Sequence, residues 1–171
     1  MNREDQILAE LMRCFDRTVT FMREQVADLS DEDILLQPVG VPNHAAWTLG
    51  HVIHSCHEIA GMLGARAWLP DDWETRFGYG SAPGRLSLSP DVSKAALLTS
   101  LADASARLRE ALRAAGGGRF EVALPDEAGR RTLPTIGDAV VQVVCAHSAF
   151  HAGQLAVWRR AIGRKPVGVF V

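Results

Sequence analysis

Apolar residues recur every three or four positions along several long stretches of the chain, which is the spacing of one face of an α-helix. In residues 4–28 this stripe consists of Ile7, Leu8, Leu11, Phe15, Val19, Met22 and Val26. No sustained stretch alternates apolar and polar residues as a half-buried strand would. The periodicity therefore predicts an all-α fold.

Capping residues indicate where the later helices begin. Asn43 is the expected N-cap of the second helix, and Ser89 that of the third, with Pro90 at the first helical position. Thr135 and Asp138 resemble a capping box at the start of the last helix. Together with the first stripe, these signals predict four long helices.

Long connections separate the predicted helices. Residues 69–89 are rich in Pro and Gly and carry two aromatic anchors, Trp73 and Phe77. Residues 119–134 form a second connection, with a short extended piece expected at 119–124. Four helices joined in this way predict a four-helix bundle with long connections, folded as a single domain over residues 1–171.

Composition excludes several classes of function. A formal net charge of −2 gives no electrostatic reason to expect a nucleic-acid partner. The first ten residues are charged and amphipathic, and no apolar run of 18 residues follows, so we expect a cytoplasmic protein with no membrane segment. The cysteines (Cys14, Cys56 and Cys145) lack CxxC spacing and are expected to be free thiols.

The last predicted helix places polar residues on its core-facing seam. The seam reads Ile136, Val140, Val143, His147, His151, Gln154, Trp158 and Ile162. Side chains four residues apart share a helix face, with Cβ atoms about 5–6 Å apart, so His147 and His151 can point at one atom. They can hold a metal ion together, or they can be buried histidines with polar neighbours. Gly153 predicts close packing against a neighbouring backbone.

The second predicted helix offers several candidates for a third metal ligand. His51, His54 and Glu58 lie on one face of this helix, and Trp47 shares that face. The helix is apolar enough to be buried on both sides, so spacing alone does not choose among the three. Cys56 lies on the opposite, aliphatic face and is expected in the core.

Two motifs and their order resemble the DinB-like superfamily. The stretch "AAWTLGHVIH" is similar to that superfamily's W-x-x-x-H stretch, and "AHSAFHAGQL" to its H-x-x-x-H-x-G-Q signature. "LPDDWETRFGYGS" resembles its Trp-containing loop. The resemblance implies a four-helix bundle in which His51, His147 and His151 bind a divalent metal ion, typically zinc or nickel. It leaves four residues as possible neighbours of the ligands: Trp47, His54, Glu58 and Gln154. Homodimers are common among such proteins.

Three neutral imidazoles would leave a zinc ion its full charge and an open fourth position, the layout of a catalytic site. By resemblance, the expected function is a metal-dependent enzyme that activates a low-molecular-weight thiol or water against a small electrophilic substrate. This covers thiol-dependent transferases, isomerases and hydrolases. The alternative is a non-catalytic, stress-associated protein that binds a metal or ligand. A di-iron bundle and a zincin protease are excluded, because the chain lacks ExxH pairs and HExxH.

Overall fold

The computed structural model describes residues 3–168, and within that range the protein is an all-α bundle. Its helices are α1 (Arg3–Val26), α2 (Ala45–Met62), α3 (Trp73–Phe77), α4 (Lys94–Ala114), α5 (Gly117–Phe120) and α6 (Ile136–Ala161). Short 3-10 turns occupy Asp33–Leu35, Pro83–Arg85 and Gly129–Arg131. The predicted all-α class and the four long helices, α1, α2, α4 and α6, are confirmed.

The four long helices pack around one shared apolar core. α1 packs against α4 and α6, and α2 packs against the same two helices. Each helix contributes fully buried side chains to the shared core, among them Phe15, Leu49, Leu101 and Leu155. Burying one such side chain stabilises the fold by about 1.5–3 kcal/mol. The helical spacing of apolar residues in the sequence therefore reflects burial of those residues in this core.

Two predicted helix starts are wrong. Ser93, not Ser89, caps α4, since its Oγ accepts a hydrogen bond from the Ala96 amide at 3.2 Å. Ser89 instead donates its hydroxyl to Asp91 at 2.7 Å in a turn that precedes the helix and contains Pro90. A serine with an acidic residue two positions later stabilises a turn as well as it starts a helix, which explains the error.

The cap of α2 is His44 rather than Asn43. The His44 ring accepts the Trp47 amide through Nδ1 at 3.2 Å, and its Nε2 donates to the Pro83 carbonyl at 3.0 Å. At α6, the predicted capping box of Thr135 and Asp138 is confirmed.

The connection after α2 is fastened to that helix by aromatic side chains. Trp73 and Phe77 are buried, which confirms them as anchors. Trp73 Nε1 donates to the Gly50 carbonyl at 3.1 Å, and a Cβ at Gly50 would lie 2.1 Å from the Phe77 ring. Gly50 is therefore required for α3 to lie against α2.

Two smaller expectations are also corrected. The piece expected to be extended at 119–124 is partly the short helix α5, and only Ala123 forms an isolated bridge, to Thr135. Gly153 is exposed, and among residues 3–168 a Cβ there would have no neighbour within 4 Å, so no close backbone approach in that range explains this glycine.

Within residues 3–168, one helix, α6, is long and apolar enough to cross a membrane by length and composition. The core helix of a bundle passes the same test. Here Ile136, Leu155 and Trp158 of α6 are buried in the bundle.

Candidate metal centre

Helix α6 is not regular where it carries the first histidine. Residues Gln142–His147 are π-helical, and Ser148 donates its hydroxyl to the Val143 carbonyl five residues earlier at 2.6 Å. The wider turn brings Val144 and Ser148 into the core, where a regular seam predicted Val143. Such π-helical turns are frequent at functional sites.

Three histidines from two helices converge between α2 and α6. Nε2 of His147 lies 3.1 Å from Nε2 of His51 and 3.1 Å from Nε2 of His151. His51 and His151 are buried and His147 is half-buried. We call these three residues the histidine cluster. Their ligand atoms all lie within 4.8 Å of one another, so the cluster could hold a metal ion.

Hydrogen bonds to the other ring nitrogens determine which tautomer two of these histidines adopt. His51 Nδ1 lies 2.6 Å from the Phe77 carbonyl, and His151 Nδ1 lies 2.8 Å from Gln154 Oε1. A carbonyl oxygen only accepts, so both rings carry their proton on Nδ1 when neutral. The Nε2 lone pairs of His51 and His151 therefore point into the cluster.

His147 is left without an adequate set of partners. Its Nδ1 is buried and has no hydrogen-bond partner among the described residues. If its proton is on Nε2, the ring can donate well to only one of the two facing lone pairs. If the proton is on Nδ1, three lone pairs face one another.

A divalent cation fits this arrangement of nitrogen atoms. A cation would accept the facing lone pairs, and zinc readily takes imidazole nitrogen as a ligand. Neighbouring nitrogens around a tetrahedral zinc ion lie about 3.3 Å apart, as follows from a Zn–N distance of 2.0–2.1 Å. The observed separations of 3.1 Å are close to that value.

The surroundings keep the cluster neutral. Burial, together with the repulsion between the rings, lowers the pKa of His147 to about 3 and that of His151 to about 4. Burial also lowers the pKa of His51. All three imidazoles are thus neutral near pH 7, which is the form that binds metals.

Aromatic rings flank the cluster on two sides. Trp47 is 6% exposed and stacks on His51, with ring centroids 4.6 Å apart and planes 10° from parallel. Its Nε1 donates to Ser81 Oγ at 2.8 Å. Phe150 contacts the edge of His151 at 5.4 Å between centroids, and it is 62% exposed. Trp47 therefore acts both as a buried anchor and as a wall of the cluster.

The other candidates on α2 lie apart from the cluster. His54 Nε2 is 3.8 Å from Glu58 Oε1, and the Glu58 side chain is about half exposed. His51, rather than either of these residues, meets the two histidines of α6. Cys56 is fully buried, and burial raises the pKa of its thiol to about 12, so it is the expected core residue.

Sequence reasoning missed three contributors to the site. Asn43 donates to Gln154 Oε1 at 3.3 Å, although its position suggested only a helix cap. Phe77 contributes its backbone carbonyl, which no sequence pattern reveals. Phe150, next to His151 in the sequence, was identifiable only as part of the apolar composition of the helix.

The family model of the DinB superfamily matches residues 7–155. The chain belongs to the DinB superfamily. The resemblance inferred from the two histidine motifs is therefore confirmed. No curated protein and no solved structure matches the chain significantly. Membership in the DinB superfamily and the histidine cluster together fit a metal-binding protein.

Proposed function

We propose that this DinB-superfamily protein binds one zinc or nickel ion through Nε2 of His51, His147 and His151. The ion would activate a low-molecular-weight thiol or a water molecule against a small electrophilic substrate. The proposal rests chiefly on one observation: three Nε2 atoms face one another, and the hydrogen bonds of His51 and His151 direct their lone pairs inward.

A divalent metal supplies Lewis-acid chemistry that lowers the pKa of a water or thiol. The chain's own residues hold the ligands in place. The Phe77 carbonyl accepts a hydrogen bond from Nδ1–H of His51, and Gln154 Oε1 accepts one from Nδ1–H of His151. These bonds keep both rings in the metal-binding tautomer. Trp47 covers one face of the His51 ring and excludes water there.

The absence of charge in the ligand set supports a reactive site. Three neutral imidazoles leave the positive charge of the ion undiminished, whereas carboxylate or thiolate ligands would reduce it. A thiol co-substrate also suits the site, because sulfur is a good ligand for zinc. The exposed Phe150 ring beside His151 offers apolar surface for the hydrocarbon part of a substrate.

Metal content tests the ligand set. Protein prepared without a histidine tag should contain one zinc or nickel per chain by elemental analysis, and His151→Ala should lose it. His54→Ala is the matched control, because it removes a neighbouring histidine outside the cluster and should leave the metal content unchanged. Retention of one metal per chain by His151→Ala would show that the ligand set is wrong.

Thiol titration separates catalysis from simple binding. Adding a small thiol to the cobalt-substituted protein should produce a thiolate-to-cobalt absorption band. The protein should then catalyse transfer of that thiol to a small electrophile. A protein that holds its metal but shows neither thiol binding nor hydrolase activity would instead be the non-catalytic, stress-associated metal binder.

We further propose that residues 1–171 fold as one domain and that the protein works in the cytoplasm as a homodimer. The dimer is supported by apolar side chains that α6 exposes in the single chain, since Val141 and Val157 are each about half exposed. Light scattering should give twice the chain mass, and Val157→Glu should reduce it to that of one chain.

A further inference from the structure

We propose that Asn43 is a positioning residue of the metal centre, which orients the Gln154 side chain so that His151 presents Nε2 to the metal. This inference rests on the proposed metal site but concerns a residue outside the ligand set. Asn43 lies immediately before the N-cap of α2, and it reaches across to α6.

The contact geometry gives Gln154 Oε1 two donors. His151 Nδ1 approaches it at 2.8 Å and Asn43 Nδ2 at 3.3 Å. A carboxamide has an accepting oxygen on one side and a donating nitrogen on the other. If the Gln154 amide alone turned over, its NH₂ group would face the NH₂ group of Asn43. In its observed orientation, with Nδ2 towards Gln154, Asn43 therefore disfavours the turned amide.

The orientation of Gln154 decides the tautomer of His151. With Oε1 towards the ring, Nδ1 carries the proton and Nε2 has a free lone pair. With the NH₂ group towards the ring, Nδ1 must accept, the proton moves to Nε2, and His151 can no longer be a ligand through that atom.

His51 and His151 differ in their need for such a residue. His51 donates to the backbone carbonyl of Phe77, which cannot turn over. His151 donates to a side-chain amide, whose two ends are nearly the same shape. A second partner for that amide is required only at His151, and Asn43 is the residue that occupies this position.

Asn43→Asp tests the mechanism with almost no change of shape. The carboxylate can only accept, so it should attract the NH₂ group of Gln154 and turn the amide. We expect metal affinity to fall about tenfold in a zinc competition assay, the lower end of the usual effect of such partners. The added negative charge alone would strengthen cation binding, so a loss of affinity separates reorientation from charge.

Gln154→Glu is the complementary variant. Its carboxylate accepts from both Asn43 and His151 and adds a negative charge beside the cluster, so metal affinity should exceed that of the wild type. Asn43→Ala removes the donor without adding charge and should cause a smaller loss than Asn43→Asp. Far-ultraviolet circular dichroism should show native helix content in all three variants.

Nitrogen-15 NMR of the metal-free protein provides a readout independent of metal binding. The His151 ring should carry its proton on Nδ1 in the wild type and Gln154→Glu, and shift towards Nε2 in Asn43→Asp. An unchanged tautomer, or undiminished metal affinity, in Asn43→Asp would overturn the role of Asn43. A wild type that binds no metal would overturn the proposed function, while the tautomer readout would still decide the orienting effect of Asn43.

Discussion

Helix α6 contributes to two clusters that contain buried basic side chains. The two clusters differ in how completely their polar groups are paired. Near its end, Arg159 is 2% exposed and pairs with both carboxylate oxygens of Asp28 at 2.7 and 2.8 Å. Two further donors reach the carbonyls of Gln25 at 2.8 Å and Lys165 at 2.6 Å. We call these residues the arginine cluster. The charge of Arg159 is paired with that of Asp28, and its guanidinium makes four hydrogen bonds.

Two turns earlier, the histidine cluster lacks such compensation. Its partners are the other imidazoles, the Phe77 carbonyl and the Gln154 amide, and the buried Nδ1 of His147 has no partner within residues 3–168. A buried polar group without a partner costs free energy and calls for an explanation. The comparison distinguishes a cluster complete in itself, which stabilises the fold, from one that a bound cation would complete.

The largest effect expected from breaking the histidine cluster concerns metal-linked stability. Metal at a thousand times its dissociation constant should raise the free energy of unfolding of the wild type by about 4 kcal/mol. His147→Leu removes one proposed ligand, so its thermal transition should not move when zinc or nickel is added. His54→Ala serves as the control and should respond like the wild type. An equal response of His147→Leu would contradict the ligand set.

Breaking the arginine cluster should destabilise the protein whether or not metal is present. Arg159→Met leaves the Gln25 and Lys165 carbonyls without their donor and Asp28 without its cation. We expect the free energy of unfolding, measured by denaturant titration, to fall by roughly 2 kcal/mol, chiefly because the two carbonyls lose their donor. The neighbouring Arg160→Met is the control, because Arg160 is exposed and should change stability little. Similar losses in the two variants would argue against a special role for Arg159.

A similar replacement in the histidine cluster should have the opposite sign when no metal is present. His147→Leu replaces a half-buried imidazole with an apolar side chain, and one nitrogen of that imidazole has no partner in the described part of the chain. We expect the metal-free protein to gain about 1 kcal/mol in free energy of unfolding. Denaturant titration in the presence of a chelator measures this directly. A loss comparable to that of Arg159→Met would mean that His147 is an ordinary structural residue.

Lowering the pH should weaken the ion pair between Asp28 and Arg159. Hydrogen bonds from Arg159 hold the pKa of Asp28 at about 2, below the ordinary value of 3.8. Because the folded-state pKa is the lower one, the pair contributes its full stability above about pH 4 and loses it as the pH falls through about 2. The stability difference between wild type and Asp28→Asn should therefore shrink over that range. A difference independent of pH would contradict the assignment.

The fold and part of the site were predictable from local patterns. Helical periodicity identified the four long helices, and four-residue spacing placed His147 and His151 on one face. His51 emerged only through the superfamily resemblance, because α2 is buried on more than one side and its spacing suited His54 and Glu58 equally well.

What sequence patterns did not predict depends on contacts between distant segments. The Phe77 carbonyl lies 26 residues from His51, and Asn43 lies 111 residues from Gln154. The π-helical turn before His147 likewise follows from packing rather than from a recognisable residue pattern. Such features become visible only when the two helices and the loop after α2 are placed together.

X-ray absorption spectroscopy of tag-free protein loaded with one zinc ion tests the central claim most directly. We predict three imidazole nitrogens around zinc at about 2.0–2.1 Å and one further light atom, with one imidazole fewer in His151→Ala. Zinc surrounded by fewer than three imidazoles in the wild type, or an unchanged spectrum in His151→Ala, would contradict the proposal that the histidine cluster is a metal site.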